Sequence, residues 1–221
     1  MPASRTQRGV FITVEGPDGS GKTTQVELLA TYLRARGADV VLTREPGGTP
    51  VGESIRALLL APRHDGRLAG ETELLLFAAC RAQHVRERIE PALARGSVVV
   101  ASRYIDATVA YQAYGRGLPL DFVGQVNAFA TGGLKPDLTF VLDIETEEGL
   151  RRARNVHKET PEGEADRIEG AGLAFHRRVR EGYLAVARAE PDRCIVIACE
   201  GPIKRIARRI AACVHERFPF L

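Results

Sequence analysis

The sequence predicts an α/β domain built on a five-stranded parallel sheet with helices on both faces, and three observations carry that prediction. A glycine-rich phosphate loop, Gly16-Pro17-Asp18-Gly19-Ser20-Gly21-Lys22-Thr23, lies between an apolar strand-like run and an amphipathic helical run. Strand-like and helix-like segments then alternate down the chain, as in sheets whose parallel strands are joined by crossover helices. At 221 residues and 44% hydrophobic content, the chain can bury one substantial core. A single domain over residues 9–221 is expected, preceded by a flexible tail over residues 1–8.

Taken in order, Val10 to Glu15 is the first strand, and Thr24 to Arg36 carries Val26, Leu29, Ala30 and Leu33 at helical spacing. Asp39 to Thr43 is a second strand, followed by Arg44-Glu45-Pro46-Gly47-Gly48-Thr49, too rich in turn residues for regular structure. Helices are expected over about 49–60 and 71–94, with a third strand from Ser97 to Ala101. Residues 106–114 and 120–130 look helical, and Leu138 to Asp143 is a fourth strand. Thr146 is read as the cap of a basic helix with Glu147 and Glu148 in its first turn, and Asn155 to Ala165 as a polar loop. A helix over 171–189, a fifth strand at Cys194 to Ala198, and a closing helix with Ile203, Ile206, Ala207, Ile210 and Val214 on one face complete the chain.

The loop fills the pattern G-x-x-x-x-G-K-[ST] at every fixed position, which predicts a nucleoside triphosphate site over Gly16 to Thr24. Its glycines let backbone N–H groups turn onto phosphate oxygens, Lys22 adds a point charge, and the Thr23 hydroxyl can ligate Mg²⁺. The helix that follows points its N-terminus at the anion. In open parallel sheets ligands bind beyond the carboxyl ends of the strands, which selects Asp18, Arg44, Ser102 and Asp143.

Composition narrows the field. Thirty-one basic against 28 acidic residues give a net charge of +3, which does not imply bulk nucleic-acid binding. No apolar run approaches the roughly 18 residues of a membrane span, and MPASRTQRG holds no apolar segment, so a soluble cytoplasmic protein is expected. Cys80, Cys194, Cys199 and Cys213 form no C-x-x-C pair and read as reduced, mostly buried thiols.

Three further segments bear on a second ligand. Phe77 and Arg81, four residues apart on one helical face, would suit a flat base with carbonyl edges, or equally a core ring beside a solvated cation. Arg103, in Ser102-Arg103-Tyr104, follows the third strand, where another phosphate could sit. Arg151, Arg152, Arg154, His157 and Lys158 crowd a helix end, which is also the pattern of a solvated face. Two other classes fit less well. A GTP-driven switch would need an Asn-Lys-x-Asp segment, which is absent, and the D-x-x-G match at Asp121 to Gly124 falls in a helical pattern. A nucleic-acid-dependent ATPase would use Lys204, Arg205, Arg208 and Arg209, which lie opposite the apolar face of the last helix.

Taken together, the phosphate loop, Thr43 to Thr49, Phe77 to His84, Arg103-Tyr104 with Ala110-Tyr111-Gln112, and Asp166-Arg167-Ile168-Glu169 resemble bacterial thymidylate kinase from about Gly9 to Glu216. The resemblance implies a P-loop kinase fold with a lid at about residues 151–168, ATP and dTMP as substrates, Mg²⁺ as cofactor and a homodimer with the helices of Phe77 and of 120–130 as interface candidates. It implies that Asp18 binds the sugar 3′-hydroxyl, Phe77 stacks on thymine, Arg81 contacts a thymine carbonyl and Thr108 sits at the base edge. Arg103 would hold the acceptor phosphate with Arg44 close by, and Tyr111, followed by Gln112, would crowd the 2′ position. The loop interior holds no basic residue before Lys22, so the chain looks like the type that carries its catalytic arginine in the lid, with Arg154 the first choice and Arg152 and Lys158 behind it. Lys22, Arg103 and Arg154 are thus the expected catalytic residues. Ser102 stands where the family usually has Asp, so either Glu45 or Asp18 acts on the waters of the metal, or metal affinity falls.

Overall fold

The computed structural model describes residues 8–61, 67–158 and 167–221, without the side chains of 156–158. Five strands, β1 (Phe11–Glu15), β2 (Val40–Arg44), β3 (Val98–Ser102), β4 (Leu138–Asp143) and β5 (Cys194–Ala198), form one sheet in the order β2-β3-β1-β4-β5, every pair parallel. The helices are α1 (Lys22–Ala35), α2 (Pro50–Leu60), α3 (Gly70–His84), α4 (Glu90–Ala94), α5 (Ile105–Thr108), α6 (Leu120–Thr131), α7 (Thr146–Lys158), α8 (Leu173–Ala189) and α9 (Ile203–Arg217).

Alternation along the strands divides the core. Ile12 and Val14 of β1, Val98 and Val100 of β3, and Leu138, Phe140 and Leu142 of β4 pack under α1 and α9, against Leu29, Leu33, Ile206 and Ile210. Their neighbours face the other layer, where Phe11, Val99 and Ala101 meet Val85, Ile89 and Leu93, and Val141 meets Val179 and Tyr183 of α8. The register sets Val14 beside Ser102 and Glu15 beside Val141, so the carboxyl ends of β1, β3 and β4 open together.

The structure corrects the expected elements in four places. α1 begins at Lys22 and not at Thr24, because left-handed Gly21 (φ 87°) turns the loop straight into the helix. The single helix expected over 71–94 is interrupted by a wider π-type segment, Val85–Ile89, before α4, where Pro91 lacks the N–H that a regular turn would use. A second wide segment, Val109–Gly115, follows α5, with the Arg116 N–H bonded to the Tyr111 carbonyl at 2.9 Å. Thr146 is the first helical residue of α7 and not its cap, since the Glu145 carbonyl already accepts from the Gly149 N–H. α7 also runs through Lys158 into the expected polar loop, with Glu148 bonding Arg151 and Arg152 at helical spacing. The remainder of that loop, 159–165, most of the expected tail and the centre of the expected lid lie outside the described residues. Arg8, the one described residue of that tail, pairs with Asp137 at 3.0 Å. All four cysteines are free, and Cys80, Cys194 and Cys199 are buried as expected.

A polar inlay crosses the α8 face of the sheet. The Arg193 guanidinium donates to both oxygens of Asp106 (2.7 and 2.9 Å), to the Thr139 hydroxyl (2.9 Å) and to Glu190, and Thr139 also bonds Thr13 across the strands (2.7 Å). Asp106 is only 2% exposed, so removing its partner would strand a buried charge. Arg193→Met is accordingly expected to destabilise the fold by about 3–5 kcal/mol, read as a lower urea midpoint with an unchanged m-value.

Candidate active site

A cavity of about 770 Å³ opens at the carboxyl ends of β1, β2 and β3. One end is walled by the phosphate loop from Asp18 to Gln25, with Gly201 and Ile203 beyond it. The other end is walled by Phe77, Arg81, Thr108 and Tyr111, and Arg44, Ser102 and Arg103 line the space between. The loop hugs the sheet because two glycines permit it. Gly16 (φ 137°) lies where a Cβ would come within 2.4 Å of the Leu142 carbonyl oxygen, and Gly19 (φ 73°) where one would meet the Gly149 carbonyl of α7 at 1.9 Å. Gly16 and Pro17 are therefore scaffold to the loop and do not line the cavity; the Pro17 carbonyl accepts from Lys22 Nζ at 2.7 Å.

Charge converges on Arg103. Its guanidinium pairs with the Asp18 carboxylate and donates to the hydroxyls of Tyr111 (3.1 Å) and Tyr183 (2.9 Å), while Tyr111 donates to the other Asp18 oxygen at 2.8 Å. Burial alone would raise the Asp18 carboxyl, but Arg103, Lys22 and the Tyr111 hydrogen bond hold it below the usual carboxylate range. Lys22 moves the opposite way for a cation: burial, reinforced by Arg103, lowers its ammonium from 10.5 to about 7, with Asp18 and Glu15 opposing. Arg103 is the one non-glycine residue with positive φ (69°) among the described residues.

At the other end the side chains are locked. Arg81, 1% exposed, donates through Nε to Glu45 (2.8 Å), through one amino nitrogen to Asn127 (2.7 Å) and through the other to the Tyr104 carbonyl (2.9 Å). The second Glu45 oxygen faces His84 Nδ1 at 3.1 Å. Burial would raise Glu45, yet Arg81 and His84 keep its carboxyl low. Half-buried Phe77 lines the cavity, and the Thr108 hydroxyl is buried there with no hydrogen-bond partner among the described residues. The Gln112 carboxamide is held by Glu73 at 2.8 Å, and the same carboxylate takes Arg116 and Arg167.

Several expected positions shift in emphasis. Arg44 lines the cavity but is tied to Glu53 (2.9 Å) and to the Pro46 carbonyl (2.7 Å). Asp143 lies outside the cavity, its carboxylate taken by Arg180 at 2.7 and 3.1 Å. Among the described side chains of α7, Arg152 and Ala153 line the cavity; Arg154, two residues on from Arg152 and about 200° round the helix, is exposed and does not, and the side chain of Lys158 lies outside the described residues. Thr23 and Thr24 present exposed side chains to the cavity, and Ser102 adds a third hydroxyl. Of the two acids that could compensate for Ser102, Glu45 has both oxygens committed and Asp18 is shared between Arg103 and Tyr111. Sequence reasoning missed Arg56, which joins the cavity wall, and Glu15 and Tyr183 beneath Arg103. Only Glu15 left a signal, an acidic residue ending a strand that is buried throughout.

A phosphate loop at the carboxyl edge of an all-parallel sheet, sharing one cavity with a second arginine-lined compartment, defines a P-loop kinase fold. The chain belongs to the thymidylate kinase family, whose pattern it matches over residues 14–210. It is 50% identical over 203 residues to the thymidylate kinase of Halothermothrix orenii, covering 92% of this chain and 95% of that one. The thymidylate kinase of Deinococcus radiodurans is 48% identical, with 95% and 98% covered. The crystal structure of thymidylate kinase from Ehrlichia chaffeensis superposes with a TM-score of 0.74 at 35% identity, over 94% of this chain and 99% of that one.

The depressed Lys22 ammonium has a thermodynamic consequence. Because burial and Arg103 lower the Lys22 ammonium to about 7, a polyphosphate seated in the loop would favour its charged form. Binding of a nucleoside triphosphate at pH 8 should take up close to one proton, measured by calorimetry in buffers of different ionisation enthalpy, and Lys22→Met should abolish the uptake.

Proposed function

We propose that this chain transfers the γ-phosphoryl group of ATP to dTMP, giving dTDP for dTTP synthesis, in the cytoplasm and as a homodimer. The observation that carries the reading is the single cavity joining the phosphate loop to the compartment of Phe77, Arg81 and Thr108, with Arg103 between them. Phe77 offers a face for thymine, Arg81 has donors held in a fixed plane for a carbonyl edge, and the orphan Thr108 hydroxyl offers a further polar contact. Tyr111, held over the sugar region by Asp18, favours a deoxyribose.

A phosphate monoester has its second pKa near ~6, so the acceptor oxygen is already anionic at pH 7 and the site needs no strong general base. What it needs is alignment and cancellation of charge between two phosphates. Arg103 orients the acceptor phosphate, Asp18 takes the sugar hydroxyl, and Lys22 with the backbone N–H groups of Gly19 to Thr24 holds the donor. Arg152, already on the cavity wall, takes the charge-stabilising role that the sequence assigned first to Arg154. The exposed hydroxyl of Thr23, on the cavity wall next to Lys22, would hold Mg²⁺ together with triphosphate oxygens. Such an ion would supply charge neutralisation between donor and acceptor phosphates.

The homodimer reading is supported by apolar side chains left in water on adjacent helices: Leu75 of α3 (57% exposed), and Phe122 and Phe129 of α6 (49% and 91%). The basic stripe of α9 is exposed opposite buried Ile206, Ile210 and Val214, the disposition of a solvated helix face. No helix among the described residues is long and apolar enough to cross a membrane.

The deciding assay is ADP formation from ATP and Mg²⁺ with dTMP, dUMP, UMP, dCMP, AMP or GMP supplied singly, beside a blank without acceptor. Strong turnover with dTMP, weaker with dUMP and little with the others is expected; equal ADP formation in the blank would overturn the reading. In the same assay Arg152→Ala should lower kcat by about 10³ or more, the range of an arginine that meets transition-state charge, while Arg154→Ala should stay within about threefold, since its side chain lies outside the cavity.

A further inference from the structure

Beneath the cavity lies a carboxyl group that the reaction outlined above does not use. Glu15, at the end of β1, is fully buried. One of its oxygens accepts the Tyr104 backbone N–H at 2.6 Å, and the other accepts the Tyr183 hydroxyl at 3.2 Å. That hydroxyl in turn accepts from the Arg103 guanidinium at 2.9 Å. Both ends of Arg103 therefore reach one carboxyl group, alongside the Val14 carbonyl that accepts its N–H at 3.1 Å and the Asp18 carboxylate that pairs with its guanidinium. Its left-handed backbone (φ 69°) is fixed by the bond to the following residue, and its guanidinium is fixed through Tyr183.

The direction of this chain of bonds matters. An arginine can only donate, so Tyr183 must accept from it and pass its own proton onward. Burial, with Asp106 nearby, pushes the Glu15 carboxyl up to about 7, and its ionised form is the acceptor that fixes this polarity. α8 comes close enough to supply Tyr183 because Gly182 precedes it. A Cβ there would lie 2.9 Å from both the Ala110 Cα and the Tyr114 Cβ, so any side chain would push the helix off the wide segment that carries Tyr111. The Tyr111 and Tyr183 rings then meet edge to face at 6.2 Å, and both hydroxyls accept from the Arg103 guanidinium.

We infer that Glu15 and Tyr183 are positioning residues that hold Arg103 in the geometry that receives the acceptor phosphate, so that they set affinity for the phosphate of the monophosphate substrate and not for its nucleoside part. The inference rests on the assignment of Arg103 to the acceptor phosphate, and the experiment separates the two. The variants Arg103→Ala, Tyr183→Phe, Glu15→Gln and the Glu15→Gln/Tyr183→Phe pair are compared for KM of dTMP, KM of ATP, and inhibition by thymidine, which carries no phosphate.

Arg103→Ala should raise the dTMP KM about a hundredfold. Tyr183→Phe keeps the ring and should raise it about tenfold, the loss expected for one buried hydrogen bond to a charged group. Glu15→Gln, which turns an acceptor into a donor facing Tyr183, should do the same, and the pair should stay near tenfold because both act through one chain of bonds. Thymidine inhibition and ATP KM should remain within about twofold in Tyr183→Phe, Glu15→Gln and the pair. An unchanged dTMP KM in Arg103→Ala would overturn the phosphate assignment and the inference together. A large Arg103→Ala effect with an unchanged dTMP KM in Tyr183→Phe, equal weakening of thymidine and dTMP, or additive effects in the pair would overturn the inference alone.

Discussion

The rest of the site depends on the need to pair a desolvated arginine at the end of β3. Arg103 sits where β1 and β3 end side by side, half inside the sheet and half in the cavity, and water cannot neutralise it there. Asp18 supplies the countercharge, two tyrosine hydroxyls take remaining donors, and Glu15 fixes the backbone that presents it. The pairing holds Asp18 low and Arg103 well above its usual value, whereas burial raises both tyrosines well above theirs and the Glu15 carboxyl to about 7, against the pull of Arg103. On the proposed reading, an arriving phosphate dianion would meet a cation already oriented, which would remove much of the ordering cost of binding.

The same logic of fixed donors extends to the far end of the cavity. Glu45, Asn127 and the Tyr104 carbonyl hold Arg81 in one plane from three different elements, and Tyr104 lies next to Arg103 in the chain. The two ends of the cavity thus share one segment, the turn after β3. Glu73 forms a third junction, tying Gln112 and Arg116 to Arg167, the first described residue after the gap at 159–166. A buried carboxylate with three such partners is costly to disturb, so the segment leading out of the gap is anchored to the helices that wall the cavity.

Much of this was legible in the chain itself. Strict apolar runs of five or six residues, helical periodicity between them and the loop from Gly16 to Thr23 carry short-range information, and each strand and helix follows within a few residues. Differences remain at element ends: a π-type segment precedes Pro91 in a helix that periodicity read as continuous, and α7 runs past its expected end. Phe77 and Arg81 left two readings open in the sequence; the structure sets both on one cavity wall, with Arg81 bonded to Glu45 and Asn127, residues far from it in the chain.

The sequence by itself determined the class of fold, the phosphate loop and the residues drawn to the carboxyl ends of the strands, because a turn motif and a repeating apolar pattern are local properties of a chain. Tertiary structure alone decided which basic side chain of α7 reaches the cavity, that Asp143 belongs to Arg180, and that Glu15 and Tyr183 stand behind Arg103. Those are contacts between residues as far as 168 positions apart, and no pattern along one segment encodes a hydrogen bond that exists only when the sheet closes and α8 is packed against it.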